Sequence, residues 1–386
     1  MDSENKRIIA ACNMLRLCVF ALTGRGGESV DTSAASLADI YGMSAYNGLV
    51  SLVGEGIDRL GVEKNEENAP VLDAFNQARA MAVRKNILLD TERAVILSHF
   101  DEKGIWYMPL KGAILKDMYP KLGLRQMSDN DILFDPAYRE YVHDYFVSLG
   151  YTVEEYMDGF HDVYQKKPIF SYEMHVELYS EKRPIFREYY KDVKSRLIKD
   201  DGNGAGYHFT DEDFYIFLVL HAHKHFVFTE SIGAKHLVDV YVYLSKKPSL
   251  DLGYIESELD KLGAGEFERG CRTLVGEIFD NIESFDIEKL PEDMSTLLSA
   301  FMLNMFNIST EGRIEKGVRS KGRFRYLMSR IFPGVEHMKK YKPIFARWYL
   351  LPFGWIYRAF DILFNRLGKS LREIKIISRS SREKDK

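Results

Sequence analysis

The run Ser128–Phe134 (SDNDILF) places two aspartates one residue apart at the start of an apolar segment. If the run is a β-strand, Asp129 and Asp131 point to one face and Asn130 to the other. Two carboxylates about 7 Å apart on one face repel each other unless a positive charge lies between them. A divalent cation such as Mg²⁺, shared with a phosphate, is the usual solution. The alternative is an acidic turn, because Asp-Asn-Asp is also typical of turns.

The composition is that of a globular protein in a reducing compartment. The chain has 386 residues, 46% hydrophobic and 28% charged, which is enough for two or three domains. Its three cysteines (Cys12, Cys18 and Cys271) are too few and too scattered for a disulfide framework or a zinc knuckle. No signal-peptide layout and no apolar run of ~18 residues is present. We therefore expect a cytoplasmic protein without a transmembrane helix; peripheral contact with the inner membrane surface is an alternative.

Positive charge is concentrated near the carboxyl end. Residues 311–386 contain 20 Lys and Arg but only 7 Asp and Glu. The whole chain contains 53 Lys and Arg and 57 Asp and Glu. Within this region, Trp348–Ser378 carries apolar and basic residues at helical spacing. Such a helix is typical of contact with an anionic surface, such as a membrane or a nucleic acid. The alternative is that Trp348–Leu363 packs on the acidic body of the same chain.

Periodicity divides the chain into four parts. Residues 1–100 read as helical and end in a long helix at Val71–Phe100. Residues 101–208 mix strand and helix patterns, and residues 209–346 are helical again. Residues 347–386 are the basic amphipathic tail. The predicted fold class is therefore α+β, with a small mixed-sheet core flanked by N-terminal and C-terminal helical regions.

Two further segments place polar residues near the Asp-x-Asp strand. A buried strand at 105–110 is followed by Lys111-Gly112, and a glycine after a strand lets backbone N–H groups approach a phosphate. The later strand-like run Ser171–Tyr179 has one polar face, which carries Glu173, His175 and Glu177. If both runs belong to one sheet, the second supplies a third acidic residue for a metal site.

The order of these segments resembles the DNA polymerase β-like nucleotidyltransferase superfamily, and within it a family of uncharacterised bacterial nucleotidyltransferases. The resemblance covers about residues 85–350. It rests on four stretches: Leu110–Ala113 with Leu115 and Tyr119-Pro120, Arg125 with Ser128–Leu133, Glu173–His175, and His221–His225 with Leu237–Val240. The sequence departs from the superfamily pattern at two places. Lys111-Gly112 replaces the usual Gly-Ser or Gly-Gly, and Asn130 replaces an apolar residue.

The resemblance implies a two-metal site. Asp129, Asp131 and Glu173 match the catalytic carboxylates that bind Mg²⁺, with Mn²⁺ as an alternative metal. Glu177 is the fallback for the third ligand. One metal would hold the nucleoside triphosphate and the other would activate the acceptor hydroxyl. Glu173 would also accept the proton of that hydroxyl.

The resemblance also implies a set of nucleotide-binding residues: Lys111, Gly112, Arg125, His175 and Lys224. Gly112 would bring its backbone to the phosphates, and Lys111 and Arg125 would neutralise phosphate charge. His175 would orient Glu173 or contact the nucleotide; a hydrogen-bonding role in the core is the alternative.

A histidine-rich helix segment raises the question of zinc. His221 and His225 share a helix face, but no nearby cysteine or acidic residue completes a zinc ligand set. Two roles stay open for this segment: contact of His221, Lys224 or His225 with substrate, and packing between helices. Asp239 is expected to cap or pair with a basic helix.

These features predict Mg²⁺-dependent transfer of a nucleoside monophosphate from an NTP to an unidentified acceptor, which is an RNA, a protein, a sugar or a small molecule. The alternative is a catalytically degenerate nucleotide-binding or sensor protein of the same fold, suggested by Lys111 and Asn130. Kinase-like phosphotransfer is disfavoured, because a Gly-rich loop with a His-Arg-Asp motif does not occur.

Overall fold

The computed structural model describes residues 3–33, 35–229 and 233–285, together with Arg347, Leu350, Leu351 and Trp355. The chain divides into two compact units, residues 1–306 and 307–386. All elements named below belong to the first unit. The predicted basic tail, residues 347–386, lies outside the described residues except for those four. In the described part of the chain, no helix is both long and apolar enough to cross a membrane.

Four helices form the N-terminal region: α1 (Ser3–Thr23), α2 (Leu37–Asn47), α3 (Val50–Leu60) and α4 (Ala69–Lys103). A capping box starts α2, in which the Ser36 hydroxyl accepts from the Asp39 N–H and the Asp39 carboxylate accepts from the Ser36 N–H. Helices α1 and α3 approach so closely that a Cβ at Gly56 would clash with the Leu17 carbonyl oxygen. Helix α4 confirms the long helix predicted at Val71–Phe100.

Five strands form one sheet: β1 (Tyr107–Pro109), β2 (Asn130–Phe134), β3 (Thr152–Glu155), β4 (His161–Lys166) and β5 (Phe170–His175). Their spatial order is β1-β2-β5-β4-β3; β2 and β5 are parallel and the other neighbours are antiparallel. Ile132 and Phe134 of β2 share an apolar cluster with Ile96 and Phe100 of α4, whereas Leu133 belongs to the main core. The mixed sheet between helical regions confirms the predicted α+β fold class.

The strand β2 begins later than the sequence pattern suggests. Its ladder with β5 starts at the pair Asn130–Tyr172, so the strand does not include Ser128. Asp129 therefore precedes the strand, and the prediction that both aspartates lie within it was wrong for Asp129.

The strand β5 ends earlier than predicted. The N–H groups of Val176 and Glu177 both donate to the Phe160 carbonyl oxygen, at 3.0 and 3.2 Å, and the ladder stops at His175. The predicted strand to Tyr179 was therefore too long, and Glu177 lies beyond the strand that carries Glu173.

Shorter elements complete the sheet region: α5 (Gly112–Leu115), α6 (Arg139–Ser148), α7 (Pro184–Tyr189), and the hairpin strands β6 (Ile198–Lys199) and β7 (Tyr207–His208). Four 3₁₀ helices are also described: Gly27–Ser29, Lys116–Met118, Pro136–Tyr138 and Val193–Arg196.

Between residues 210 and 285, the described part of the chain forms four helices: α8 (Asp211–Thr229), α9 (Ala234–Lys246), α10 (Leu252–Lys261) and α11 (Gly265–Asp280). The Thr210 hydroxyl caps α8 by accepting from the Asp213 N–H at 3.0 Å. Helical regions thus occur on both sides of the sheet in the chain, while the boundaries at residues 100, 208 and 346 stay predictions.

Candidate functional site

The register of the two parallel strands brings three predicted site residues together. Asp131 of β2 is paired with Glu173 of β5, and His175 lies two residues further along β5. Ligand atoms of the three side chains all lie within 4.8 Å of one another. The His175 Nε2 atom is 3.2 Å from Asp131 Oδ1 and 3.6 Å from Glu173 Oε2. The pairing of β2 with β5 thus brings Asp131, Glu173 and His175 together in one compact polar group.

Asn130 faces away from this group, as the strand alternation predicts. Its side-chain oxygen accepts from Arg93 Nη1 at 2.7 Å, and its amide donates to the Leu89 carbonyl oxygen at 3.2 Å. Both partners lie on α4. The polar residue between the two aspartates therefore anchors β2 to α4, because a fully buried amide needs such partners.

The three grouped side chains offer donors that suit a divalent cation. The side chains of Asp131 and His175 are 6% and 5% exposed, whereas Glu173 is 31% exposed. Carboxylate oxygens are preferred by Mg²⁺ and Mn²⁺, and imidazole suits transition metals. Buried carboxylates need a positive counter-charge, and the half-buried Glu173 leaves one side open to solvent. The donor set therefore fits a divalent cation.

Lys111 supplies positive charge beside the two carboxylates. It is the second residue of a tight turn in which the Ala113 N–H donates to the Leu110 carbonyl oxygen at 3.2 Å. Its Nζ donates to Asp131 Oδ1 and lies 3.7 Å from Glu173 Oε2. Burial lowers the pKa of Lys111, but the attraction of Asp131 and Glu173 outweighs it, so the pKa lies above its ordinary value.

The two aspartates of the motif have different electrostatic environments. Burial acts to raise the pKa of Asp131, but Lys111 and His175 hold it well below its usual range. Burial and the charge of Asp131 raise the pKa of Asp129. The Ser128 hydroxyl donates to Asp129 Oδ1 at 2.9 Å. Asp129 lies outside the group of three, and its role as a metal ligand stays a prediction.

Helix α8 brings further positive charge to the group. The Lys224 Nζ lies 6.0 Å from the centre of the Phe160 ring, which is 5.8 Å from the His175 ring. Burial and the Lys111 ammonium lower the pKa of Lys224 to about 8. The same two causes hold the pKa of His221 well below its usual range. A phosphate would stabilise these groups, because an anion compensates a poorly solvated cation.

His161 belongs to the site and was missed in the sequence. It lies opposite His175 in the β4–β5 ladder, and the two rings stack with centroids 5.2 Å apart and planes at 25°. Burial and the neighbouring His175 lower the pKa of His161. The feature of the sequence that could have revealed His161 is the hairpin turn after Lys166, because the turn pairs Lys166 with Phe170. Counting back from that pair places His161 opposite His175.

Arg125 is held in a buried ion pair. Its Nε and Nη2 atoms donate to the two carboxylate oxygens of Asp239 at 2.8 and 2.9 Å, and the Tyr119 hydroxyl donates to the same carboxylate at 2.7 Å. A Cβ at Gly112 would lie 2.5 Å from Arg125 Nη1 and 2.7 Å from the Met127 sulfur. Gly112 thus leaves room for Arg125. The nucleotide-binding roles of both stay predictions.

Asp239 and Glu177 have partners other than those predicted. Asp239 pairs with Arg125, which precedes β2 in a loop, so the predicted basic-helix partner was wrong. The Glu177 carboxylate accepts from Arg187 Nε and Nη2 at 2.6 and 2.8 Å. Glu177 lies outside the group formed by Asp131, Glu173 and His175.

The family model described as "uncharacterised nucleotidyltransferase" matches residues 33–280, which is more than half of the chain and includes every residue of the site. No curated protein and no solved structure matches the sequence. The matched region contains the mixed sheet, the grouped carboxylates and α8. The chain therefore belongs to the family of uncharacterised nucleotidyltransferases, and its activity class is that of a transferase.

Proposed function

We propose that the protein transfers a nucleotidyl group from a nucleoside triphosphate to an acceptor hydroxyl or phosphate. The metal would be Mg²⁺, with Mn²⁺ as an alternative, held by Asp131 and Glu173 with Asp129 nearby. The in-register pairing of Asp131 with Glu173 supports this proposal most strongly, because it puts two carboxylates on one sheet face. A divalent cation bound there would withdraw charge from the phosphates and stabilise the pyrophosphate as it leaves.

The electrostatic environment and the exposure of each side chain suggest which role it would have in the reaction. Asp131 stays ionised across the neutral range, because Lys111 and His175 depress its pKa. Glu173 is more open to solvent and would accept the proton of the acceptor hydroxyl. The acceptor oxygen would then bond to the α-phosphorus while the α–β bridging bond breaks. Lys224, and Lys111 once it is released from Asp131, would contact the phosphates.

Paired isotopic labels test the type of transfer. The purified protein is incubated with Mg²⁺, an extract of cells that express it, and an NTP labelled at either the α or the γ phosphate. We expect α-label to enter an RNA, protein, sugar or small-molecule fraction, and γ-label to appear as pyrophosphate. Entry of γ-label into an acceptor would instead indicate kinase chemistry and would refute the proposal.

Matched variants connect that transfer to the site. Asp131→Asn keeps the size of the side chain and removes the charge that orients Lys111 and His175. Glu177→Gln removes a carboxylate two residues beyond β5 and serves as the control. We expect loss of transfer in the first variant and unchanged transfer in the second, with circular dichroism to verify folding.

A nucleotide sensor of the same fold is the second candidate. The observation that favours it is the Lys111 ammonium, which already compensates Asp131 and Glu173. Calorimetry with NTP and Mg²⁺, followed by a pyrophosphate assay, separates the two functions. Binding without pyrophosphate release across all acceptor classes would favour the sensor.

A further inference from the structure

Lys111 has an unusual backbone for a residue with a side chain. Its φ of 46° and ψ of −114° are those of the first central position of a type II′ turn, which glycine normally occupies. The turn is closed by the bond from Ala113 N–H to the Leu110 carbonyl oxygen. The strained position holds the start of the lysine side chain directly beside the strand end that carries Asp131, and unfavourable backbone geometry often accompanies function.

The ammonium at the end of this side chain lies where a cation is needed. It bonds to Asp131 Oδ1 and lies 3.7 Å from Glu173 Oε2, and the Lys111 side chain is only 17% exposed. Asp131 is a member of the group that fits a divalent cation, and its Oδ1 atom also lies 3.2 Å from the His175 Nε2 atom of that group. A dication on that oxygen and an ammonium bonded to it would repel each other strongly at such a distance. Metal entry therefore requires Lys111 to leave Asp131.

A displaced Lys111 ammonium needs a new anion. Apart from the carboxylates, its surroundings include the Lys224 ammonium on α8, whose pKa is lowered first by burial and then by repulsion from Lys111. The phosphates of an incoming nucleotide would supply the missing negative charge. Metal binding and nucleotide binding are then linked through the Lys111 side chain. The metal displaces the ammonium from its carboxylate partners, and the phosphates give the displaced ammonium a new anionic partner.

We propose that Lys111 is a built-in counter-ion that competes with the divalent cation for Asp131 and Glu173, and that it moves to the phosphates when metal and nucleotide bind together. This inference rests on the proposed function, because it requires a metal–nucleotide complex at this site. Its consequence is that the metal alone binds weakly, so the site is completed only when nucleotide is present.

The test measures two affinities that should change in opposite directions. Mn²⁺ binding without nucleotide is measured by electron paramagnetic resonance. Binding of a Mg²⁺ complex of an NTP analogue with a methylene group between the α and β phosphates is measured by calorimetry. In Lys111→Met we expect Mn²⁺ alone to bind at least about tenfold more tightly, and the Mg²⁺–analogue complex to bind about tenfold more weakly, within the usual range for coupled sites.

Two further variants serve as controls. One tests whether a folding defect explains the result, and the other tests whether removing a lysine outside the site has the same effect. Lys111→Gly also removes the ammonium but suits the positive φ, so it should reproduce both changes even if Lys111→Met is unstable. Lys121→Met removes a lysine that pairs with buried Glu55 outside the site, and should change neither affinity.

The outcomes separate this inference from the proposed function. Equal or weaker Mn²⁺ binding in both Lys111 variants would overturn the counter-ion role. Weaker binding of the Mg²⁺–analogue complex with unchanged Mn²⁺ binding would make Lys111 a simple phosphate ligand, which also overturns it. Tighter Mn²⁺ binding in the variants, with no binding of the analogue complex to any protein, would keep the competition but refute the nucleotide function and the transfer of Lys111 to phosphate.

Discussion

Replacing Asp239 with alanine tests whether Arg125 acts through a buried ion pair. In the native protein the Asp239 carboxylate accepts from Arg125 Nε and Nη2 and from the Tyr119 hydroxyl, and all three side chains are buried or nearly so. Asp239→Ala leaves a guanidinium and a hydroxyl without this partner. Breaking a buried pair from one side costs about 3–5 kcal/mol, which corresponds to a fall in melting temperature of roughly 5–8 °C for the compact unit of residues 1–306.

The stability of this pair also depends on pH. Burial acts to raise the pKa of Asp239, but Arg125 and Lys235 outweigh it and lower the pKa below the ordinary 3.8. The folded protein therefore binds fewer protons than the unfolded chain near that pH. The stabilisation is complete above pH ~4 and is lost as the pH falls through the lowered pKa of the folded state. Asp239→Ala should remove this part of the acid sensitivity.

Urea unfolding followed by circular dichroism measures these effects, and a double variant gives the control. Arg125→Met with Asp239→Leu replaces both charges by apolar groups, so it should be more stable than Asp239→Ala alone. A loss below about 1 kcal/mol in Asp239→Ala, or a double variant that is no more stable, would refute the reasoning. If the folded double variant still binds the Mg²⁺–analogue complex, Arg125 is structural; if it does not, the predicted nucleotide contact is supported.

Three further results are expected. Because the pKa of Lys224 is about 8 and an anion raises it, binding of the Mg²⁺–analogue complex at pH 8.5 should take up a proton and weaken at higher pH. Calorimetry in two buffers of different ionisation enthalpy detects the uptake, and identical heats, or uptake that persists in Lys224→Met, would contradict it. Gly112→Ala should cost about 1–3 kcal/mol in urea unfolding, because its Cβ would overlap Arg125; unchanged stability would count against that packing. Glu173→Gln should weaken Mn²⁺ binding about tenfold while Glu177→Gln leaves it unchanged, and equal effects would argue against the assigned ligands.

Local alternation made part of the site readable from the sequence. Asp131 and Asn130 take opposite faces because a strand has a period of two, and Glu173 and His175 share a face for the same reason. The resemblance to a known family then placed the two strands in one sheet. The alternation depends only on short segments, which is why it agrees with the fold at Asn130, Asp131, Glu173 and His175.

Other features depended on contacts that no local pattern encodes. Arg125 and Asp239 are separated by 114 residues, and only the packing of α9 against the loop before β2 unites them. Glu177 does not share the strand face of Glu173, because β5 ends at His175 and the Glu177 N–H donates to the Phe160 carbonyl oxygen instead. His161 entered the site through hairpin register, which depends on where the turn closes.

The lysine in the turn shows a different limit. The sequence identifies Lys111 as a departure from glycine, but the departure alone does not say where the ammonium points. The positive φ and the ion pairs with Asp131 and Glu173 appear only in three dimensions. Lys111, which suggested a degenerate site in the sequence, is thus the residue that we propose as the counter-ion of that site.

The most direct measurement of the central claim is transfer of α-label from an NTP by wild-type protein and by Asp131→Asn, each with and without Mg²⁺. The account predicts labelled acceptor and equimolar pyrophosphate only for wild-type protein with Mg²⁺, and an unchanged result for the Glu177→Gln control. Equal transfer by folded Asp131→Asn, or equal transfer by wild-type protein in excess chelator, would contradict a metal-dependent site built on Asp131 and Glu173.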